Sequence, residues 1–505
     1  MSVKRVAKHL LRPVSGRILD AVASRVRNRL GFHGMTSEES SNNCAGCAAR
    51  ADLDILAAAR SIAAGGDQRV TLPTEPTGGS TERPIQLGFC GNMANNAYNF
   101  VKALRRLGHS AELVVEDGYL DAFIMNRPFW EDVEVECDDY EQAATFEKEW
   151  RQPHFVRRVE YDQELQARFQ HRQSAIPEVQ KLYRETFGLE LPTDRALVLA
   201  QSMGHWPSLV ALSRYDVIQL SGSAISLGPF CPKPYVVFPT GSDLFVSPFQ
   251  ETLFGLLMRA GYRGAAHVLI CETNYPAYLD RLAMTCPRSF APMMIDTVTY
   301  APGDSQQVRQ QWRERSGGER FLYSVCRQAW QWKGNDRLLR AFAEFTSNGN
   351  SDWRLVLQQW GPDVERSQQL IGELGLENRV LYETLCSKPV LRRRQQAADV
   401  VADQFVMEGY GTSVLESMAA SKPVLMRPVD DIAAQNFRWR PPFLGATTVE
   451  EITHVLQTTL HDDALRSAGE ESLRWLQEHH GYESVSQIYL DAMVGATRGT
   501  EKIAA

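Results

Sequence analysis

Apolar residues in this chain follow two alternating rhythms. Short unbroken apolar runs alternate with longer stretches in which apolar positions recur every three to four residues. The alternation is most regular after residue 318. Phe321 to Cys326 is a run suited to a buried strand, and Leu338, Leu339 and Phe342 mark one face of the helix after it. Further strands are predicted at 353–361, 379–385 and 399–405, separated by helices at 366–376 and 389–397. Strands alternating with helices predict a parallel, doubly wound sheet that binds ligands at its carboxyl edge.

The first half repeats the rhythm less cleanly. Ile85 to Cys90 reads as a strand, Gly91 to Asn96 as a loop, Tyr98 to Leu107 as a helix, and Leu113 to Val115 as the start of a second strand. Later strands are predicted at 214–222, 235–244 and 267–274. The pattern breaks between 127 and 195. There Glu131, Asp132, Glu134, Glu136, Asp138 and Asp139 crowd behind Phe129 and Trp130, and two polar helical segments follow. A solvated acidic loop is the simpler reading. An aromatic beside acids is also a means of holding a sugar, by stacking and hydrogen bonds.

Composition narrows the class. At 505 residues, with 44% hydrophobic and 23% charged positions, the chain is long enough for two or three domains of ordinary globular composition. No run of apolar residues reaches transmembrane length. Nine scattered cysteines, with only Cys44 and Cys47 in a Cys-x-x-Cys pair, point to a reducing compartment and supply no second pair for a zinc site. The net charge of −7 conceals eight Lys or Arg and one acid within residues 1–30, leaving the remainder about fourteen units negative. Such a body argues against nucleic-acid binding. The basic start carries an apolar stripe through Val3, Ala7, Leu10, Val14, Ile18, Val22, Val26 and Leu30. It fits a membrane-surface helix, a helix packed on the protein, or a basic tail.

Two segments carry the chemistry. At 407–425, Glu408 and Glu416 flank a Gly409-Tyr410-Gly411-Thr412 turn and the start of an apolar helix. Glycines allow a tight turn close to a ligand, and free N–H groups at a helix start suit phosphate. Thr412 or Ser413 is the expected cap of that helix. Upstream, Arg327 and Lys333 flank the loop after the 321–326 strand, where a guanidinium and an ammonium can neutralise a diphosphate. Carboxylates for hydroxyls beside cations for phosphates describe a nucleotide-sugar site.

The 407–425 segment resembles the Glu-x7-Glu motif of retaining GT-B glycosyltransferases of the family-four type (glycosyl transferases group 1). Tyr410, Ser417 and Ser421 stand where that pattern has Phe, Ala and Gly. The resemblance covers about 85–495 and is strongest in the second half. It implies an α/β GT-B fold: two Rossmann-like domains facing a cleft, with an N-terminal helical extension. The implied divisions are an extension and linker at 1–84 and an acceptor domain at 85–301 with an insertion at about 127–195. A hinge at 302–318, a donor domain at 319–480 and a helix crossing back within 481–505 complete them.

The resemblance also implies roles. Arg327 and Lys333 hold the donor diphosphate, Glu416 the ribose and Glu408 the transferred sugar, which makes Glu408, Arg327 and Lys333 the catalytic set. The loop from Glu383 to Cys386, with Thr384 and Leu385, cradles the nucleobase through backbone groups. Gly91, Gly409, Tyr410, Gly411 and Thr412 complete the donor site, and Asn92, Asn95, Ser221 and Asp243 are acceptor-side candidates. Gln219 and Ser221 replace a His-x-His pair of the family. The implied activity is hexosyltransferase-like, with no metal or other cofactor. The implied partners are a nucleotide sugar and a glycan or lipid-linked acceptor. The expected location is cytoplasmic, with the basic segment a candidate for attachment to the inner membrane face. A non-catalytic scaffold subunit and a sugar-nucleotide epimerase of the same fold are the alternatives.

Overall fold

The computed structural model describes residues 45–65, 84–272, 274–429 and 436–498. The basic stripe of residues 1–30 and Cys44 lie outside them. Helix α1 (Ala45–Ala64) precedes two parallel sheets.

The first sheet has seven strands in the order β4-β2-β1-β5-β6-β7-β8. They are β1 (Gln86–Cys90), β2 (Ser110–Asp117), β4 (Val156–Glu160), β5 (Val217–Ser221), β6 (Tyr235–Phe238), β7 (His267–Ile270) and β8 (Arg288–Phe290). Their inward faces are almost entirely apolar, as expected of parallel strands covered on both sides by helices, among them α2 (Asn96–Arg106). β4 lies inside the stretch read from sequence as an insertion. Val156 to Glu160 instead pairs in parallel with β2 and forms the sheet edge. Its run of Arg157 and Arg158 hid it from an apolar-pattern reading.

The second sheet has six strands in the order β11-β10-β9-β13-β14-β15. They are β9 (Arg320–Ser324), β10 (Trp353–Gln358), β11 (Val380–Glu383), β13 (Val400–Ala402), β14 (Val424–Met426) and β15 (Leu444–Gly445). Both sheets change winding direction beside their first strand, between β1 and β5 and between β9 and β13. Loops there diverge and leave a crevice.

Three further features join the halves. Phe129 to Asp132 forms a short helix, α3, and Glu136–Cys137 forms β3, which pairs antiparallel with β12 (Leu385–Cys386). Helix α4 (Gln306–Ser316) occupies the polar stretch between the sheets. In the second half come α5 (Trp330–Lys333), α6 (Asn335–Ser347), α7 (Lys388–Ala397) and α8 (Thr412–Ala419). The last helix, α9 (Tyr482–Arg498), returns to the first sheet, where buried Tyr489 meets Phe100 edge-on at 5.0 Å and Phe238 at 5.9 Å. Just before it, Ile295 N–H donates to the His480 carbonyl at 2.8 Å. Among the described residues no helix is long and apolar enough to cross a membrane.

Candidate functional site

The switch point between β9 and β13 carries both chemical segments. β9 ends at Ser324 and leads to Arg327; β13 ends at Ala402 and leads to Glu408. Arg327 is exposed, close enough to Tyr140 for its charge to act on that phenol. Lys333 closes α5, where Gly334 takes the left-handed conformation (φ 71°) that ends the helix. Its ammonium binds the Gln404 side-chain carbonyl and stands 3.6 Å from Asp403. Gln404 in turn donates to the Gly409 carbonyl at 2.8 Å. A chain of polar contacts therefore runs from the Lys-Gly segment to the Glu-Gly turn.

The turn itself is built on close approaches. Gly409 has φ 80°, a left-handed conformation that favours glycine, and a Cβ there would lie 2.6 Å from a Glu272 carboxylate oxygen, so a larger residue would force that side chain aside. Glu272 follows β7 of the first sheet and accepts a hydrogen bond from the Tyr410 N–H. Burial pushes its carboxyl up to about 8. Glu272, Asn274, Glu408, Gly409, Tyr410 and Phe437 line a pocket of ≈ 30 Å³, room for about one water. Glu408 is exposed and pairs with Arg427 at 3.1 Å. Nothing local singles out Glu272, one acid at a strand end whose partner Tyr410 lies some 140 positions further along the chain.

Tyr410 turns inward. It is buried, packs edge-on against Trp475 and lies 3.2 Å from His480. Only its backbone is available to a ligand. Gly411 is the N-cap of α8, and no side chain caps that helix, contrary to the expectation for Thr412 or Ser413. The helix start, exposed at Gly411, keeps its N–H groups uncapped by side chains.

Glu416, one turn into α8, is only 2% exposed. Its Oε1 is 2.5 Å from Lys388 Nζ, and its Oε2 has no hydrogen-bond partner among the described residues. Burial acts to lower the Lys388 pKa, but Glu416 and Glu131 outweigh it and hold the ammonium charged. Glu131, from α3, accepts from Tyr300 Oη at 3.2 Å, and its Oε1 is likewise unpartnered. Burial raises its carboxyl to about 7, with Lys388 opposing and Glu416 adding. The Thr384 carbonyl accepts from Arg394 at 2.8 Å, and Leu385 is buried.

On the first sheet the candidates are mostly occupied. Gly91 (φ 84°) lies so near β5 that a Cβ would overlap the Ser221 carbonyl, so a backbone-to-backbone approach sets the need for glycine. The Asn92 amide donates to Asn95 Oδ1 and the Asn126 carbonyl, both at 2.6 Å. The Asn95 amide donates to the carbonyls of Met125 and Arg127. These groups brace the 121–127 turn and are not free donors. Ser221 is buried, 3.4 Å from the Gln219 amide. Asp243 accepts from the Thr240 N–H and hydroxyl and from Tyr262, and burial raises its carboxyl to about 6. Phe129 and Trp130, weighed from sequence as sugar-stacking rings, are buried in a small core with Val135 and Leu385.

Comparisons agree with this architecture. Residues 305–471 match the family described as Glycosyl transferases group 1. An uncharacterized glycosyltransferase of Methanocaldococcus jannaschii is 30% identical over 111 residues, which is 22% of this chain and only 28% of that relative's length. HepE of Anabaena, solved in complex with UDP and glucose, superposes with a TM-score of 0.55 at 14% identity, over 81% of this chain and 99% of that one. The α,α-trehalose 6-phosphate synthase of Burkholderia multivorans superposes at 0.53 with 11% identity, over 84% and 100%. Identities this low speak to the fold alone, which is GT-B. Residues 305–471, which hold both motif segments, are the part of the chain that matches the glycosyl transferases group 1 family.

Proposed function

We propose that this protein is a retaining, metal-independent glycosyltransferase that moves a sugar from a nucleotide-diphosphate sugar to a glycan, lipid-linked or other acceptor. One observation carries the reading. The contact chain Lys333–Gln404–Gly409 links the cationic segment to the glutamate turn, at a helix start that no side chain caps.

Arg327, Lys333 and the N–H groups opening α8 would take up the charge growing on the diphosphate as the glycosyl bond breaks. Glu416 would accept from the ribose hydroxyls. Glu408, exposed and steered by Arg427, would orient the transferred sugar. The backbone of Gly409 to Thr412 would line the diphosphate and sugar, and Thr384 and Leu385 the base. The leaving diphosphate can itself take the acceptor proton, so no protein base is required. The acceptor would enter from the first sheet, past Ser221 and Asp243.

A screen of UDP-, GDP-, ADP-, CMP- and dTDP-sugars for hydrolysis and transfer, with and without excess EDTA, tests this. Turnover of one donor that persists in EDTA is expected. Turnover lost in EDTA and restored by magnesium would remove the metal-independent part, and no turnover or binding of any donor would remove the whole. The second reading, a non-catalytic subunit of the same fold, draws on the pairing of β3 with the strand assigned to the base.

A further inference from the structure

We propose that residues 131–137 form a strap occupying the nucleoside end of the donor site, so that a nucleoside diphosphate binds only after the strap leaves. The proposal rests on the donor reading above and adds a control to it.

Both nucleoside-recognising elements are covered by this one segment. The backbone edge assigned to the base is already paired, with Leu385 opposite Cys137 and Cys386 opposite Glu136. Ser387 extends the pairing: its N–H donates to the Val135 carbonyl at 3.0 Å, and its hydroxyl accepts from the Val135 N–H at 2.9 Å. A strand edge whose groups are spent on one neighbour cannot also serve a base. The carboxylate assigned to the ribose is covered in the same way. Glu416 lies buried against Lys388, and Glu131 of the strap faces the same ammonium. Two carboxylates around one cation, each with an unpartnered oxygen, leave acceptors in excess of donors. A vicinal diol would supply those donors, but Glu131 already lies close enough for Glu416 and Lys388 to act on its carboxyl.

The strap's outer fastenings are of a kind that lets go. Arg393 forks onto Glu134, with the longer contact at 3.0 Å, and Arg394 reaches Glu136, whose side chain is 57% exposed. The solvated Arg393–Glu134 pair contributes little and weakens with salt, and Arg394, though buried, keeps Glu383 at 2.8 Å as a partner when Glu136 leaves. When the binding-competent state is a minority, apparent affinity falls by its fraction.

A reversible lock tests the idea. Glu136→Cys places a thiol opposite the native Cys386, in register for a cross-strand disulfide. Binding of UDP, GDP, ADP, CDP and dTDP is measured by calorimetry on oxidised and reduced E136C, with oxidised wild type as control. Expected is binding about tenfold or more weaker in the oxidised variant, recovered with dithiothreitol, and a reduced variant that binds at least as tightly as wild type. Equal affinity in both redox states overturns the strap and leaves the donor reading standing. Failure of the two cysteines to crosslink overturns the strap pairing itself. No binding by any form, with the fold intact, removes the donor reading and the strap with it.

Discussion

Lys388 Nζ and Glu416 Oε1 stand 2.5 Å apart, with side chains 12% and 3% exposed. The pair joins the first turn of α7 to the body of α8 and sits beneath the glutamate motif. Removing one member strands the other. Lys388→Met is therefore expected to cost about 3–5 kcal/mol of stability, the range for an uncompensated buried charge. Lys388→Met/Glu416→Gln should recover most of that loss. Urea denaturation of the three proteins measures both effects.

Arg327→Ala and Lys333→Ala should each lower kcat at least about tenfold with the fold intact, because a well-placed cationic donor contributes ~2–4 kcal/mol in the transition state. Steady-state turnover with circular dichroism as the fold control checks this. Near wild-type turnover in both variants would remove the diphosphate assignment.

The two motif glutamates should separate kinetically. Glu416→Gln is expected to weaken nucleoside diphosphate binding and raise KM, since a ribose contact is made before and during reaction. Glu408→Gln should leave diphosphate affinity nearly unchanged and lower kcat. Calorimetry and kinetics on the same preparations decide, and equal losses of affinity would refute the division.

Glu272 should make stability depend on pH. Folding raises its carboxyl from 4.5 to about 8, so between those values the folded state keeps a proton that the unfolded chain releases. The contribution is complete below the unfolded value and is lost as pH rises through about 8. Glu272→Gln cannot release that proton. Its melting temperature should therefore gain on wild type from pH 5 to 8 and hold a constant lead above. A gap independent of pH would show that the carboxyl titrates normally.

Deleting residues 1–30 removes seven net positive charges and the apolar stripe. In a flotation assay with anionic vesicles the truncated protein should shift to the supernatant. Unchanged partitioning at low and high salt would favour a helix packed on the protein.

How much was legible depended on how locally each feature is encoded. The β9-loop-α5 and Glu408–Glu416 segments carry strand, turn and helix within twenty-odd residues, so pattern and chemistry agree there. Glu272 and Gly409 meet only through the fold, and nothing around either names the other. β3 and β12 are two residues each, in polar surroundings, below the length at which alternation can be detected. Phe129 and Trp130 stood beside acids and suggested a binding surface, yet they are the apolar floor under the strap. The inward-turned Tyr410 was legible as a position in the motif but not as a core residue, because its neighbours Trp475 and His480 come from a distant helix end.

The return of α9 to the first sheet has a consequence for biosynthesis. The ribosome delivers the last strand of that sheet at Phe290, but the helix covering Phe100 and Phe238 begins only at Tyr482. Throughout the intervening synthesis the nascent sheet presents a bare aromatic face. Chaperone occupancy on stalled chains should thus persist past the second sheet and fall only in chains released from the ribosome, in which the helix is free to dock.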